Sequence, residues 1–129
     1  MATDANLQLQ APVTVTALGA TPGAAVDLLA RFGLPRRGVP CRLLVANVSS
    51  ATAGSTVQHY LEHSPDNASW STLVSFVPYT TTTTATTDEQ FAEIPGHCKR
   101  YLRASVSNAA GAGATPTSTF QVDACSSMP

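Results

Sequence analysis

Val57-Gln58-His59-Tyr60-Leu61-Glu62-His63-Ser64-Pro65-Asp66-Asn67-Ala68-Ser69-Trp70-Ser71-Thr72-Leu73-Val74-Ser75-Phe76 reads as two strands joined by a polar turn. At a period of two, Val57, His59, Leu61 and His63 point one way and Gln58, Tyr60 and Glu62 the other. Ser64 to Asn67 supply turn chemistry, because proline pre-sets its own φ and Asp and Asn bond the backbone locally. Trp70 begins the return run, followed by Leu73, Val74 and Phe76. A chain built this way is expected to consist of β-hairpins.

The rest of the chain repeats the signal. Val13 to Ala17 and Val26 to Leu29 read as short strands, although Ala24 to Phe32 is also compatible with a small helix. Arg42 to Val48 is apolar at nearly every position, which predicts a central strand covered on both faces. The threonine-rich tract Pro78 to Thr87 reads as an edge strand or extended loop, since β-branching disfavours helix and uniformity weakens register. Glu89 to Ile94 is anchored by Phe91 and Ile94. From Lys99 to Ser107, Leu102, Ala104 and Val106 share one face, with Tyr101, Arg103 and Ser105 on the other. Asn108 to Thr115 reads as a small-residue hairpin loop, and Ser118 to Asp123 closes the domain with Phe120 and Val122 facing in. The expectation is an all-β chain forming a single β-sandwich or jelly-roll-like domain of about seven or eight short antiparallel strands. Its core should hold Leu44, Val48, Leu61, Trp70, Leu73, Phe76, Leu102, Val106, Phe120 and Val122. The expected organisation is an N-terminal arm over 1–12, the sandwich over 13–125 and a tail over 126–129.

The 129 residues fit one domain with a real core. Charged residues are only 12% and the net charge is −1, which argues against nucleic acid and against a polybasic membrane binder. The polar surface must come from Thr, Ser, Asn and Gln, and little charge repulsion opposes self-association. No run reaches transmembrane length, and the first ten residues have neither the basic nor the apolar region of a secretory signal. Cys41, Cys98 and Cys125 are odd in number and widely spaced, matching neither a disulfide framework nor a zinc site, so reduced thiols are expected. A Cys41–Cys98 pair stays open on sequence alone, and Cys125 is expected to be the exposed one.

Catalytic candidates are weak. His59 and His63 share a strand face but lie about 13 Å apart by strand rise, too far to share a metal. There is no nucleophile elbow and no recognisable pair among Glu62, Asp66, Asp88, Glu89 and Glu93. His97 and Cys98 are adjacent, so on a strand their side chains oppose. Asn67-Ala68-Ser69 fits a glycosylation pattern but reads as turn residues. Trp70, Tyr60, Tyr79 and Tyr101 could form a platform for a sugar, but read as core filling and strand pairing. No enzyme activity, metal or cofactor is expected. Residues 31–41, Arg-Phe-Gly-Leu-Pro-Arg-Arg-Gly-Val-Pro-Cys, exclude a continuous helix or central strand. They read as a solvated loop or as a contact loop in which Arg31, Arg36 and Arg37 dock on an acidic or carbonyl-rich surface.

Three segments, 59–73, 99–107 and 116–122, together resemble the small head decoration (capsid cement) proteins of tailed bacteriophages. In that family a Glu/Gln-Ser/His-x-Asp-x-x-x-Trp turn is followed by an Arg-Tyr-x-Arg-Ala strand, a small-residue loop and a final Ser-Phe-x-Phe/Val strand. The likeness covers about the C-terminal half. The chain departs from it at Asn67, where the family often has Gly, and in the 31–41 loop and threonine tract. The resemblance implies a homo-oligomer, dimer or trimer, on the capsid exterior of a virion, bound to the major capsid protein and made in the host bacterial cytoplasm. The segments left over from the sandwich would make the contact: the arm with Leu7 and Leu9, and the loop with Arg31, Arg36 and Arg37. The same turn also resembles a motif of discoidin-like carbohydrate-binding sandwiches, which would imply an adhesion module. Secretion or fusion to a larger enzyme would favour that alternative.

Overall fold

The computed structural model describes residues 8–31, 38–111 and 114–124, with the side chains of Ala30 and Arg31 excepted. Ten strands and one helical turn follow in the order β1 (Gln8–Val15), β2 (Gly19–Pro22), β3 (Val26–Asp27), α1 (Leu28–Arg31), β4 (Val39–Ser49), β5 (Thr56–Ser64), β6 (Ser71–Ser75), β7 (Tyr79–Thr80), β8 (Asp88–Ile94), β9 (Tyr101–Ala109) and β10 (Thr117–Ala124). One antiparallel sheet has the order β1-β10-β4-β8; the other has β2-β9-β5-β6, with β3 added on β9 and β7 on β5. This is an all-β chain consistent with a single β-sandwich domain. The strand number exceeds the expected seven or eight because β3 and β7 are two-residue pieces. The segment read as strand or helix from Val26 is both in turn, β3 and then α1.

The core lies between the sheets and follows the alternation. Val57, His59, Leu61 and His63 of β5 are all buried, while Gln58, Tyr60 and Glu62 are half-buried on the outer face. Leu102, Ala104 and Val106 of β9 and Phe120 and Val122 of β10 complete the expected inner faces. Three expected core residues differ. In β4 the buried residues are Cys41, Leu43, Val45 and Val48, so Leu44 falls on the half-covered outer face rather than in a strand enclosed on both sides. Trp70 is half-buried, on the turn rather than in the core. Leu73 is only partly buried, but it packs on the core together with its neighbour Val74. The cause is a register shift: Leu61 pairs with Val74 and Glu62 with Thr72, which makes Leu73 an extra residue in β6. Phe91, expected as an anchor, faces outward at 38% exposure, while Ile94 is buried.

The connections also differ from a chain of hairpins. Among the described strands, β5 and β6 are the one consecutive pair joined by a ladder. Other connections, including β4 to β5, β8 to β9 and the small-residue stretch between β9 and β10, cross from one sheet to the other. The threonine tract is one such crossing. Tyr79–Thr80 pairs with Val57 and Thr56 in one sheet, and Thr86 exchanges two backbone bonds with Val48 in the other. Between them Thr81 is buried, with its hydroxyl bonded to Ser50 and to the backbone N–H of Ser55. Residues 8–12, read as arm, form the first part of β1, because Leu9 is drawn into the core at 3% exposure. Cys98 is a buried free thiol, Cys41 is buried as well, and Cys125 lies outside the described residues.

His59 is the polar exception at the centre. Its Nε2 and the Ser118 Oγ are 2.9 Å apart, joining β5 to β10 across the core, and its ring sits edge-on to Phe120 and Tyr79. Burial pushes its pKa down from 6.5 to about 4. The folded protein therefore resists protonation that the unfolded chain accepts. Stability should be full above the unfolded pKa and fall as pH drops from 6.5 towards 4, by up to about 3 kcal/mol from this residue. Urea denaturation across that range checks it. Leu61→Ala should cost about 2–5 kcal/mol in the same assay, whereas Leu29→Ala, at a site 54% exposed, should cost little.

Candidate functional site

Strand direction sorts the charges. Chain entry to β1, the start of β4 and the ends of β8 and β10 lie together, since Gln8 pairs with Asp123, Asp123 with Arg42, and Val39 with Ile94. The end of β5 and the start of β9 also meet, at Ser64 and Tyr101, with Asp27 beside them. Because β4 runs away from this end and β5 returns to it, both groups share one end of the sandwich. All five Lys and Arg residues among the described ones belong to it. Arg42 and Arg103 sit in the first halves of β4 and β9, Lys99 and Arg100 in the β8–β9 turn, and Arg31 ends α1. Arg36 and Arg37 lie in the stretch between Arg31 and Gly38, outside the described residues. The opposite end, with loops 50–55 and 81–87, has hydroxyl and small side chains and no basic residue.

Three of these cations are built into ion pairs. Arg42 meets Asp123 at 3.0 Å, with their side chains only 13% and 1% exposed. Arg100 grips Asp27 with two bonds, Nε to Oδ1 at 3.0 Å and a terminal nitrogen to Oδ2 at 2.9 Å. Asp27 Oδ1 also accepts the Leu29 N–H, and the Arg100 carbonyl accepts the Leu28 N–H, so this pair fixes the start of α1. The hydrogen bonds and charge of Asp27 hold the Arg100 pKa above its ordinary value. Arg103 donates from Nε to Glu62 at 2.9 Å, and its guanidinium carbon lies 4.1 Å from the centre of the Trp70 ring. The Arg100–Asp27 pair, the most exposed of the three, is worth only about 0.2–1 kcal/mol, so its main effect is positional. Lys99 is exposed and makes no ion pair among the described residues.

The turn between β5 and β6 is set by Asp66. Its Oδ1 accepts the backbone N–H groups of Ala68 and Ser69 and the Ser64 hydroxyl, which together hold its pKa below the usual carboxylate range. Asn67 takes φ of 61°, the one left-handed residue other than glycine among the described residues. Asparagine tolerates that region better than most side chains. Of the four aromatic residues that could have made a sugar platform, Tyr60, Tyr101 and Trp70 lie on the outer face of β5 and β9, where Arg103 covers Trp70 and Arg100 lies over Tyr101; Tyr79 packs on the core with its hydroxyl donating to Asp88.

Of the expected contact residues, Leu9 is buried and belongs to the body of the domain. Leu7, Arg36 and Arg37 lie outside the described residues, and for Arg31 only the backbone at the end of α1 is described. The segments that carry them nonetheless start or finish at this one end. Sequence reasoning missed Glu62, Arg100 and Asp27 as partners, because they meet only through the pairing of β5, β9 and β3. A cleft of about 250 Å³ lies along β1 against Ala24, Ala25 and Val26, and none of its lining side chains is titratable. Among the described residues, no group of three metal-ligating side chains occurs, and no helix is long and apolar enough to cross a membrane. The chain matches no protein-family model and no curated protein sequence.

The left-handed turn gives a direct check. Asn67→Gly should leave stability nearly unchanged, and Asn67→Val should lower it by about 1–2 kcal/mol. Thermal or urea unfolding of the two variants distinguishes these outcomes.

Proposed function

We propose that this chain is a structural virion protein of a tailed bacteriophage, a decoration or cement protein that binds the outside of the head as a homo-oligomer. The observation that carries the reading is the stack of Glu62, Arg103 and Trp70. Trp70 and Arg103 come from two separate segments of the family pattern, the turn that ends in Trp and the Arg-Tyr-x-Arg-Ala strand, and Glu62 lies just ahead of that turn. In the fold they touch, which gives the resemblance a physical basis. The position where that family often has glycine is also the position that requires a left-handed backbone.

The contact surface in this reading is the basic end. Residues 1–7 and 32–37 attach there, and Arg31, Arg36 and Arg37 would meet carboxylates or carbonyls of the major capsid protein. Each charge-assisted bond is worth about 1.5–3 kcal/mol where water is excluded. Linked subunits would multiply such contacts into stable attachment. The carbohydrate-binding alternative shares the turn, but Arg103 and Arg100 lie over the Trp70 and Tyr101 rings on which a sugar would stack.

Cosedimentation with heads lacking their decoration protein tests the proposal. The parent chain should bind in a fixed ratio to the major capsid protein. Deletion of residues 1–7 and, separately, Arg36→Ala with Arg37→Ala should leave the circular dichroism spectrum unchanged and weaken binding. Undiminished binding by both variants would remove these segments from the interface. Binding to isolated glycans without binding to heads would replace the whole reading.

A further inference from the structure

His63 ends the inner row of β5, at the basic end, and is 6% exposed. Its Nδ1 accepts the backbone N–H of Lys99 at 3.2 Å. An N–H can donate to an imidazole nitrogen only if that nitrogen carries no proton, so this contact requires neutral His63 with its proton on Nε2. Protonation would place one N–H against another.

The bond has a consequence beyond one amide. Lys99 belongs to the 95–100 turn, which is otherwise held by the Cys98 N–H on the Pro95 carbonyl. The next residue, Arg100, carries both the Asp27 ion pair and the carbonyl that receives the Leu28 N–H. A continuous line of contacts thus runs from His63 through Lys99 and Arg100 to the first residue of α1, after which the chain leads to Arg36 and Arg37.

We propose that His63 is an acid-sensitive latch, which holds the 95–100 turn, and through it the start of α1, in place while its ring is neutral and releases them when Nδ1 is protonated.

The surroundings fit that role. His97 of the same turn faces His63 with ring centroids 6.2 Å apart, and Lys99 adds a positive charge beside it. Burial, Lys99 and His97 all push the His63 pKa below 6.5, so the latch stays closed through neutral pH and opens only in acid. Cys98, in the same turn, is kept as a neutral thiol by burial, with its pKa up to about 11. From the neighbouring strands, Leu102 of β9 and Ser71 of β6 stand opposite His63 and carry no charge. Glu62 points to the other face, where Arg103 holds it. Asp27 is committed to Arg100. Among these groups, no carboxylate is placed to stabilise a protonated His63. The latch does not rest on the capsid reading, because it would operate in the isolated protein.

Residue-resolved amide exchange by NMR on the whole chain tests it. After correction for intrinsic rates, the Lys99 amide should lose protection at least about fivefold between about pH 7.5 and about pH 5. The Val106 amide, in the middle of β9, reports the global loss of stability expected from His59, which should persist in His63→Asn. His63→Asn, whose side-chain oxygen can accept the same bond at either pH, should abolish the Lys99 change. Should that variant fail to fold, the ring nitrogen shifts of the parent decide: the Nδ1 resonance should pass from acceptor to protonated form over the range in which Lys99 loses protection. The latch is refuted if Lys99 protection is unaffected by pH, if His63→Asn retains the full effect at Lys99, or if Nδ1 titrates outside that range.

Discussion

Strand β5 fixes how the two sheets meet. It is flanked by β9 on one side and by β6 and β7 on the other, and its four inward residues are all buried. Because side chains alternate strictly, a slip of one residue would expose Val57, His59, Leu61 and His63 and bury Gln58, Tyr60 and Glu62. The penalty for such a slip is unusually broad here. It would strip His59 from Ser118 in the core, His63 from the Lys99 amide, and Glu62 from Arg103. One register therefore sets the core, the cross-sheet bond and the charged end at once.

With so few charges, the chain cannot rely on repulsion to stay apart from its copies. The strand edges carry the protection instead. β1 contains Pro12 and two register shifts, and β2 is four residues long and ends in Pro22. β6 has five residues and the extra Leu73. β8, the longest regular edge, bears Asp88, Glu89 and Glu93. Each device interrupts or charges a ladder that could otherwise template another strand. This arrangement leaves the ends of the sandwich, rather than its edges, as the surfaces best suited to specific contact.

What could be read from the sequence was alternation. The inner faces of β5, β9 and β10 follow period two without interruption, and the all-β class follows from them. The connections were not legible, because Asn108 to Thr115 looks the same whether it turns back in one sheet or crosses to the other. Bulges were equally silent: Leu73 and Val74 reach the same core only because one residue is inserted opposite Leu61 and Glu62. The apolar run of β4 misled for a related reason. Leu44 is as apolar as Leu43, but parity within a one-sided sheet, not hydropathy, decides which is enclosed. The charged end needed both steps, since Arg31 and Arg103 are distant in sequence and share an end only after strand directions are known.

The two ends of the domain solve the same problem with different chemistry. At the uncharged end, the hydroxyls of Ser50, Ser55 and Thr81 bond to one another's loops and to the carbonyls of Gly111 and Ala114. Those groups satisfy buried backbone polarity without ionic strength dependence or titration. At the basic end, the equivalent positions are held by Asp27–Arg100, Glu62–Arg103 and the neutral ring of His63. Each of these contacts can be weakened by salt, acid or a competing charge. A domain built this way has a fixed end and a responsive end. The basic end is therefore the one whose surface packing salt, acid or a competing charge can alter.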